Sequence, residues 1–292
     1  MRIALTGASG FLGRSIIRAA HTRGHETVAF SRAPARGVEG AIETRQFEFS
    51  SPPDFSGCEA VIHLAGEPIF GLWTRARRRE IMVSRVRGTR RVIEGIARAQ
   101  EKPEVLVCAS AVGYYADAGD TELTETSPLG TDLLAATCAA WEIEAAQASG
   151  VRIVHLRIAP VLGRGGGMLG AMAPIFRCGL GGRLGSGQQW MPWIHVEDLA
   201  RLALFAIEDM SVSGPVNACA PWPVRNADFA RTLARVLDRP AFCHVPAWAV
   251  RFALRGLGRE LLASKRVVPA AATGHGFAFR FPDLEPALRD VL

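Results

Sequence analysis

The sequence predicts an α/β fold: a doubly wound parallel sheet with a small, mostly helical lobe at the C-terminal end. Short apolar stretches typical of strands alternate with longer helical stretches, which favours parallel strands with helices on both faces. A glycine-rich segment separates the first strand from the first helix, and after about residue 222 strand signals become sparse. We therefore expect one domain over residues 1–222, with 163–192 contributing to a cleft, and a smaller domain over 223–292.

The predicted elements follow the chain in order. A strand over residues 3–6 is followed by a helix over 11–23, which Gly24 ends before a second strand over 26–30. Apolar periodicity places the remaining elements. Further strands are predicted over 60–64, 105–109, 151–158 and 216–218, and helices over 74–100, 132–147, 197–207, 226–237 and 247–257.

Composition argues against several classes of protein. Of the 292 residues, 49% are hydrophobic and 21% are charged, as is typical of a globular chain. No apolar run reaches the roughly 18 residues of a membrane span, so we expect no membrane partner. The six cysteines are dispersed without a C-x-x-C pair, which indicates neither a disulfide framework nor a metal site. Because no export signal is recognised, the expected location is cytoplasmic.

The basic charge is unevenly distributed. The formal net charge is +6, and nine arginines lie within residues 75–98. Nucleic-acid binding would favour aromatic residues interleaved with this charge, but only Trp73 is close to it. We interpret the segment as a solvated helix face, with phosphate contacts as the alternative, and expect no nucleic-acid partner.

A glycine triplet follows the first strand. Gly7, Gly10 and Gly13 form G-x-x-G-x-x-G directly before the first helix. The first glycine permits a tight turn, the second lets a pyrophosphate approach the backbone, and the third allows the helix to pack closely on the strand. This context predicts dinucleotide binding by a Rossmann fold, and the alternative is a loop that serves only a turn. The loop also contributes Ser9, Phe11 and Leu12 as candidate cofactor contacts.

The end of the second strand predicts which dinucleotide is bound. A carboxylate there would favour NAD, because it would accept a hydrogen bond from the ribose 2′-hydroxyl. This chain has Ser31 and Arg32 instead, followed by Arg36. An arginine can pair with a 2′-phosphate and a serine can add a hydrogen bond, so we predict NADP(H). The alternative is an exposed arginine that merely ends the strand.

Motifs along the chain resemble those of the extended short-chain dehydrogenases/reductases, the class of nucleotide-sugar epimerases and dehydratases. The loop over 7–13 resembles the cofactor loop of that class, and 63–66, His-Leu-Ala-Gly, resembles its cofactor-lining segment. Residues 156–163 are similar to its strand leading to the nicotinamide and the substrate, and 193–199 to its [FW]-I-H-V-x-D signature. The resemblance implies cofactor contacts at Leu64, Ala65, Gly66, Ser84, Arg157, Ala159 and Val161.

A narrower resemblance extends over nearly the whole chain. It is to an uncharacterised epimerase-like subfamily that combines a distinctive C-terminal domain with the lack of a Tyr-x-x-x-Lys motif. The similar segments are 65–69, 73–74, 84–86, 89–90, 110–115, 138–142, 264–269, 276–277 and 282–285.

The catalytic pattern of the wider class is interrupted. Active members use Tyr-x-x-x-Lys, in which the lysine lowers the pKa of the tyrosine. Here Cys138 aligns with the tyrosine and Glu142 with the lysine. For Cys138 the alternative is a small buried apolar residue. Ser110 and Tyr115 lie in the segment that in the wider class provides a serine and a tyrosine, so they are further candidates for acid/base chemistry.

Four residues are candidate substrate contacts. Glu67 follows the cofactor-lining segment, and Arg85 could reach into the cleft from its helix, although a surface arginine is the alternative. Gly163 follows a strand end, where ligands bind in open α/β sheets. Trp193 could stack on a flat ligand or pack between the lobes. His195, near Asp198, is interpreted as an orienting hydrogen-bonder rather than a metal ligand.

Two functions remain open. The first is an NADP(H)-dependent oxidoreductase or epimerase acting on a small polar substrate. The second is a catalytically weak NADPH-binding sensor or interaction module, which the missing Tyr-x-x-x-Lys favours. In either case we expect a monomer or a homodimer.

Overall fold

The computed structural model describes every residue of the chain except Phe70 and Leu72. In chain order its strands are β1 (Arg2–Thr6), β2 (Glu26–Ser31), β3 (Glu43–Gln46), β4 (Ala60–His63), β5 (Val105–Ala111), β6 (Glu122–Leu123), β7 (Arg152–Ile158), β8 (Val161–Gly163), β9 (Gly182–Leu184), β10 (Trp190–Met191), β11 (Ile194–His195), β12 (Gly214–Ala218), β13 (Val224–Arg225), β14 (Cys243–Val245) and β15 (Arg266–Val267). Its helices are α1 (Phe11–Thr22), α2 (Arg75–Arg98), α3 (Leu133–Ala145), α4 (Gly167–Arg177), α5 (Val196–Glu208), α6 (Asn226–Val236), α7 (Ala247–Leu262), α8 (Ala270–Gly274) and α9 (Leu284–Val291).

A parallel sheet of seven strands forms the centre of the molecule. Its order is β12-β7-β5-β4-β1-β2-β3, and each neighbouring pair is parallel. Helices α1 and α5 cover one face and α2 and α3 the other, so the inner strands are apolar on both sides. Strand order reverses between β1 and β4, and in open α/β sheets ligands bind in the crevice at that point.

The C-terminal region is mostly helical but is joined to the sheet. Helices α6 and α9 share an apolar core with α4, while the short strands β14 and β15 pair with β9 and β6. Helix α8 packs on β12, and Ala272 and Phe277 belong to the core of the main sheet. The predicted doubly wound sheet with a small helical lobe is confirmed.

Some elements were not predicted. The edge strand β3 reads Glu-Thr-Arg-Gln, so it lacks the apolar run that indicates a strand. Helix α4 contains Pro174 and begins with glycines, both of which weaken a helical pattern. Over the described residues, no helix combines the length and the apolar character needed to cross a bilayer.

Candidate functional site

The glycine loop turns tightly between β1 and α1. Gly7 has a φ of +73°, a left-handed conformation that favours glycine. The Gly10 amide donates to the Gly7 carbonyl oxygen at 3.0 Å. A Cβ on Gly13 would lie 2.4 Å from that same oxygen and 2.5 Å from the Ala8 carbonyl oxygen. Gly7 therefore makes the turn, and Gly13 lets the helix pack on bare backbone.

The first turn of α1 is open to a ligand. Gly10 is the N-cap and its residue type supplies no capping side chain, so the backbone N–H groups of that turn form an anion-binding end. The phosphates of a dinucleotide fit this cradle, which is walled by glycine backbone. The Phe11 ring packs on the loop after β8, where a Cβ on Gly163 or Gly166 would lie 2.5 Å from it. Ser9 is exposed, and Leu12 is partly packed on the core.

The segment after β4 lies directly against this loop. A Cβ on Gly7 would lie 3.1 Å from the Ala65 nitrogen and 3.1 Å from the Leu64 carbonyl carbon. The Ala65 amide donates to Thr6 Oγ1 at 3.3 Å, and that oxygen lies 2.7 Å from His63 Nδ1. Burial lowers the pKa of His63 to about 3, so the ring is neutral at physiological pH. A buried, uncharged pair of side chains thus fixes the backbone beside the crevice.

Ser31 ends β2 and Arg32 directly follows it, at the same edge of the sheet. The Arg32 side chain is 79% exposed, and its Nη1 lies 3.8 Å from Glu67 Oε1. An ion pair this long and exposed contributes little free energy. The Ser31 hydroxyl accepts from the Ala33 amide at 3.2 Å. The Arg32 guanidinium is therefore available to an anionic group of a ligand.

Arg85 is buried on the inner side of α2. Its Nη1 donates to the carbonyl oxygens of Glu67 and Ile81, both at 3.1 Å. Its guanidinium carbon lies 4.9 Å from the centre of the Trp141 ring and 3.5 Å from where a Gly66 Cβ would be. Burial lowers the pKa of Arg85. Within the described part of the chain no carboxylate forms an ion pair with it, and a buried charge of this kind favours an anionic ligand.

Glu67 is compensated by a neighbouring cation. Its carboxylate accepts from Arg77 Nη1 at 3.2 Å, and Arg77 also donates to the Pro68 carbonyl oxygen at 2.8 Å. The Glu67 amide donates to the buried Ser84 hydroxyl at 3.2 Å. Arg77 and Ser84 therefore hold the loop after Gly66 in place.

Three of the four predicted catalytic positions, Ser110, Tyr115 and Glu142, meet in a buried network, whereas Cys138 makes no hydrogen bond to it. Glu142 accepts from Arg157 through both carboxylate oxygens, each at 2.9 Å, and from the Ser110 hydroxyl at 2.6 Å. Arg157 also donates to the Tyr115 hydroxyl at 2.9 Å, and that hydroxyl donates to Asn217 Oδ1 at 2.6 Å. Strands β5, β7 and β12 and helix α3 each supply a member. Arg157, which was predicted to contact the cofactor, is ion-paired with Glu142 in the structure.

Tyr115 and Cys138 are both held protonated. Burial raises the pKa of Tyr115 to about 12 although Arg157 opposes this shift. Burial also raises the pKa of Cys138 to about 12, and the charge of Glu142 acts in the same direction. Neither side chain is therefore an available base at neutral pH.

Other predicted residues have packing roles in the structure. Trp193 is fully buried in the core shared with α6 and α9, and its Nε1 donates to the Trp222 carbonyl oxygen at 3.1 Å. Its ring has no exposed face on which a ligand could stack. The structure therefore shows Trp193 in the packing role rather than stacked on a ligand. Ala159 and Val161 are buried at the end of β7 and in β8. His195 accepts from the Glu197 amide at 3.2 Å.

Sequence reasoning missed three members of the site. Asn217 anchors Tyr115, Tyr114 lies with its ring 3.5 Å from the Arg157 guanidinium carbon, and Arg77 holds Glu67. Asn217 had a detectable signal, because it is a polar residue within a buried strand. Across the described residues, no group of three or more His, Cys, Asp or Glu side chains is placed to hold a metal ion.

Comparison with known proteins places this geometry in a family. The model described as "NAD dependent epimerase/dehydratase family" matches residues 3–219, and that of a "Domain of unknown function (DUF1731)" matches 245–291. An "Epimerase family protein SDR39U1 homolog, chloroplastic" from Arabidopsis thaliana is 37% identical over 303 residues, covering 100% of this chain and 87% of the relative. "Epimerase family protein YfhF" of Bacillus subtilis (strain 168) is 35% identical over 298 residues, covering 100% and 98%.

A solved structure is similar along the whole chain. It is that of the human epimerase family protein SDR39U1 (isoform2) with NADPH, with a TM-score of 0.93, 34% identity, and coverage of 100% of this chain and 99% of that one. The predicted resemblance is confirmed: the chain belongs to the NAD-dependent epimerase/dehydratase family, with a DUF1731 region at its C-terminal end.

Proposed function

We propose that the chain binds NADP(H) and acts as an oxidoreductase or epimerase on a small polar substrate with an anionic group. The observation that supports this proposal most directly is the glycine loop at the N-terminal end of α1, together with an exposed and weakly paired Arg32. The similarity to a human relative crystallised with NADPH supports the same cofactor. When bound, this cofactor supplies or accepts a hydride.

The chain's own residues have separate roles in this proposal. The backbone over 7–13 binds the phosphates, Ser31 and Arg32 hold the 2′-phosphate, and residues 64–66 line the crevice. Arg85 binds the anionic group of the substrate from the inner side of α2, since no carboxylate of the described residues compensates it. Glu67, whose carbonyl oxygen is bonded by Arg85, and Gly163, which lies against the Phe11 ring, are the further candidates for substrate contacts.

A proton can move between Ser110 and Glu142. In this step Ser110 Oγ accepts the proton of a substrate hydroxyl while its own proton passes along the 2.6 Å hydrogen bond to Glu142. Arg157 opposes the step, because a proton on Glu142 would disrupt their buried ion pair. This opposition favours the second candidate function, a catalytically weak NADPH sensor or interaction module.

The cofactor proposal is tested by Arg32→Asp. We expect NADPH affinity to fall by about 10- to 100-fold, because a charged hydrogen bond of roughly 1–3 kcal/mol is lost, while NADH affinity is unchanged or improved. Isothermal titration with both cofactors measures this difference. Arg98→Asp is the matched control, since Arg98 ends α2 and is exposed. Equal losses for NADPH and NADH would contradict the assignment of Arg32.

The two functions are separated by what the protein retains and turns over. Native mass spectrometry of freshly purified protein would detect bound NADP(H) and any second ligand. A panel of carbonyl and sugar-nucleotide substrates then tests NADPH oxidation, with Ser110→Ala as the comparison. Turnover by the wild type that is lost in the Ser110→Ala variant would support the enzymatic function. Cofactor binding without turnover, together with a cofactor-dependent change in partner binding, supports the sensor.

A further inference from the structure

Helix α7 carries two large aromatic side chains into solvent. Trp248 is 71% exposed and Phe252 is 84% exposed. They are four residues apart, so they lie on the same side of the helix, one turn from each other. Phe242, which directly precedes β14, is 89% exposed. The neighbouring pair Trp248 and Phe252 is a candidate interaction surface.

Leucine side chains on both halves of α7 are packed against the rest of the molecule. Leu254, Leu257 and Leu261 contact Trp73 and Ile81 at the start of the α2 segment. The helix is therefore part of the folded molecule, and its aromatic side is presented to solvent in a fixed position. Docking through this side would require no unfolding of the C-terminal lobe.

The charged side chains exposed beside these aromatic residues are arginines on both halves of α7. The helix is broken at Arg255, where φ is +49°, and its second half turns back, so that a Cβ on Gly258 would lie 3.2 Å from the Arg251 Cα. Arg259 is thereby brought close to Arg251. Arg251, Arg255 and Arg259 are exposed, and within the described residues none of them forms an ion pair. The carboxylate of the same helix, Glu260, is instead bonded by the buried Lys265 at 2.7 and 2.8 Å. We call the exposed residues Trp248, Arg251, Phe252, Arg255 and Arg259 the α7 face.

The charge of the α7 face decides between possible occupants. A two-fold contact with a second copy would place the same patch against itself, and arginines would face arginines. An anionic surface complements it. Aromatic side chains beside arginines are typical of interfacial helices, whose rings enter the headgroup region while guanidinium groups pair with lipid phosphates.

We infer that the α7 face docks the protein peripherally on a membrane surface rich in anionic phospholipid. Trp248 and Phe252 insert at the headgroup level, and the arginines bind the phosphates. Such docking does not require a helix to cross the bilayer. Among the described residues, no helix is both long enough and apolar enough to do so. The inference is independent of the proposed cofactor and reaction.

Vesicle co-sedimentation of the full chain tests the inference. We expect binding to vesicles of phosphatidylcholine with phosphatidylglycerol, little binding to phosphatidylcholine alone, and a loss of binding as salt rises. Trp248→Ala with Phe252→Ala should lower the partition coefficient by at least about tenfold. Arg251→Gln and Arg259→Gln should each lower it by about fivefold.

The matched control is Trp222→Ala. Trp222 is 62% exposed but lies outside α7, so its removal should leave vesicle binding unchanged. Equal thermal midpoints would show that all variants are folded. Binding that ignores lipid charge, or that the α7 variants leave intact, would overturn the inference. A dimer that dissociates in the aromatic variants would also overturn it and would assign the face to a second copy. Binding to polyglutamate without binding to vesicles would assign the face to an acidic protein instead.

Discussion

At the scale of single residues, Glu142 and Arg157 form a buried ion pair. Arg157 reaches Glu142 from β7 with two hydrogen bonds. Breaking such a buried pair leaves an uncompensated charge, which costs about 3–5 kcal/mol. Replacement of either partner alone should therefore destabilise the fold.

His63 makes the free energy of unfolding depend on pH. Its folded-state pKa is lowered to about 3, below the unfolded value of about 6.5, so the unfolded chain takes up a proton first as pH falls. The stabilisation is complete above about pH 6.5 and decreases toward pH 3. Between pH 7 and pH 5 we expect a loss of about 2 kcal/mol from this residue.

Urea unfolding of the wild type and His63→Gln at both pH values measures this contribution. The variant should lose less stability than the wild type over that interval, by about 2 kcal/mol. His155 and His195 also have lowered pKa values from burial, so a residual dependence of the same sign should persist in the variant. Identical pH dependence in the two proteins would refute the assignment to His63.

At the scale of elements, α7 is interrupted by a strained residue. Arg255 has φ +49° and ψ −118°, a conformation that favours glycine. The interruption brings the two halves close: a Cβ on Gly258 would lie 2.4 Å from the Val250 carbonyl oxygen. The second half thereby packs Leu257 against Trp73, and the first half presents its aromatic side chains to solvent.

Arg255→Gly should stabilise the protein. Relief of the left-handed strain outweighs the greater backbone entropy of glycine in the unfolded chain, for a net gain of about 1 kcal/mol. Arg259→Gly is the matched control, because it places the same substitution at a regular helical position and should cost about 1 kcal/mol. Chemical denaturation compares the two. Destabilisation by both variants would show that Arg255 is not strained.

At the scale of the whole molecule, the C-terminal region and the sheet form one body. Asp198, buried in α5, accepts from the amides of Arg280 and Phe281, each at 2.8 Å, and from Arg201 at 3.0 Å. Both carboxylate oxygens are needed for these bonds. The chain after α8 is thus fastened to the helix that covers the sheet.

Asp198→Asn should therefore destabilise the entire protein. The amide group of asparagine can accept only at its oxygen, so one backbone N–H is left facing another donor, at a cost of about 2 kcal/mol or more. We expect one cooperative transition at a lower urea concentration. Asp228→Asn should shift it little, because the Asp228 side chain lies on the solvent side of α6 and its ion pair with Arg231 is exposed. Separate transitions for sheet and tail would contradict the single body.

The sequence predicted the features that depend on local patterns. Alternating strand and helix periodicity determined the α/β class, and the spacing of Gly7, Gly10 and Gly13 between β1 and α1 determined where a dinucleotide would be held. Ser31 and Arg32 could be placed at the crevice because the end of a parallel strand is a fixed position in this fold. These features could be predicted because each depends only on residues that are close together in the sequence.

Packing between distant segments decided the rest. The sequence placed Cys138, Glu142 and Tyr115 near the site, but only tertiary structure determined that two are buried and protonated and the third is paired. The burial of Trp193 and the uncompensated charge of Arg85 were likewise decided by which elements pack on them. Side-chain chemistry of this kind depends on burial and partners, which are set by residues far apart in the chain.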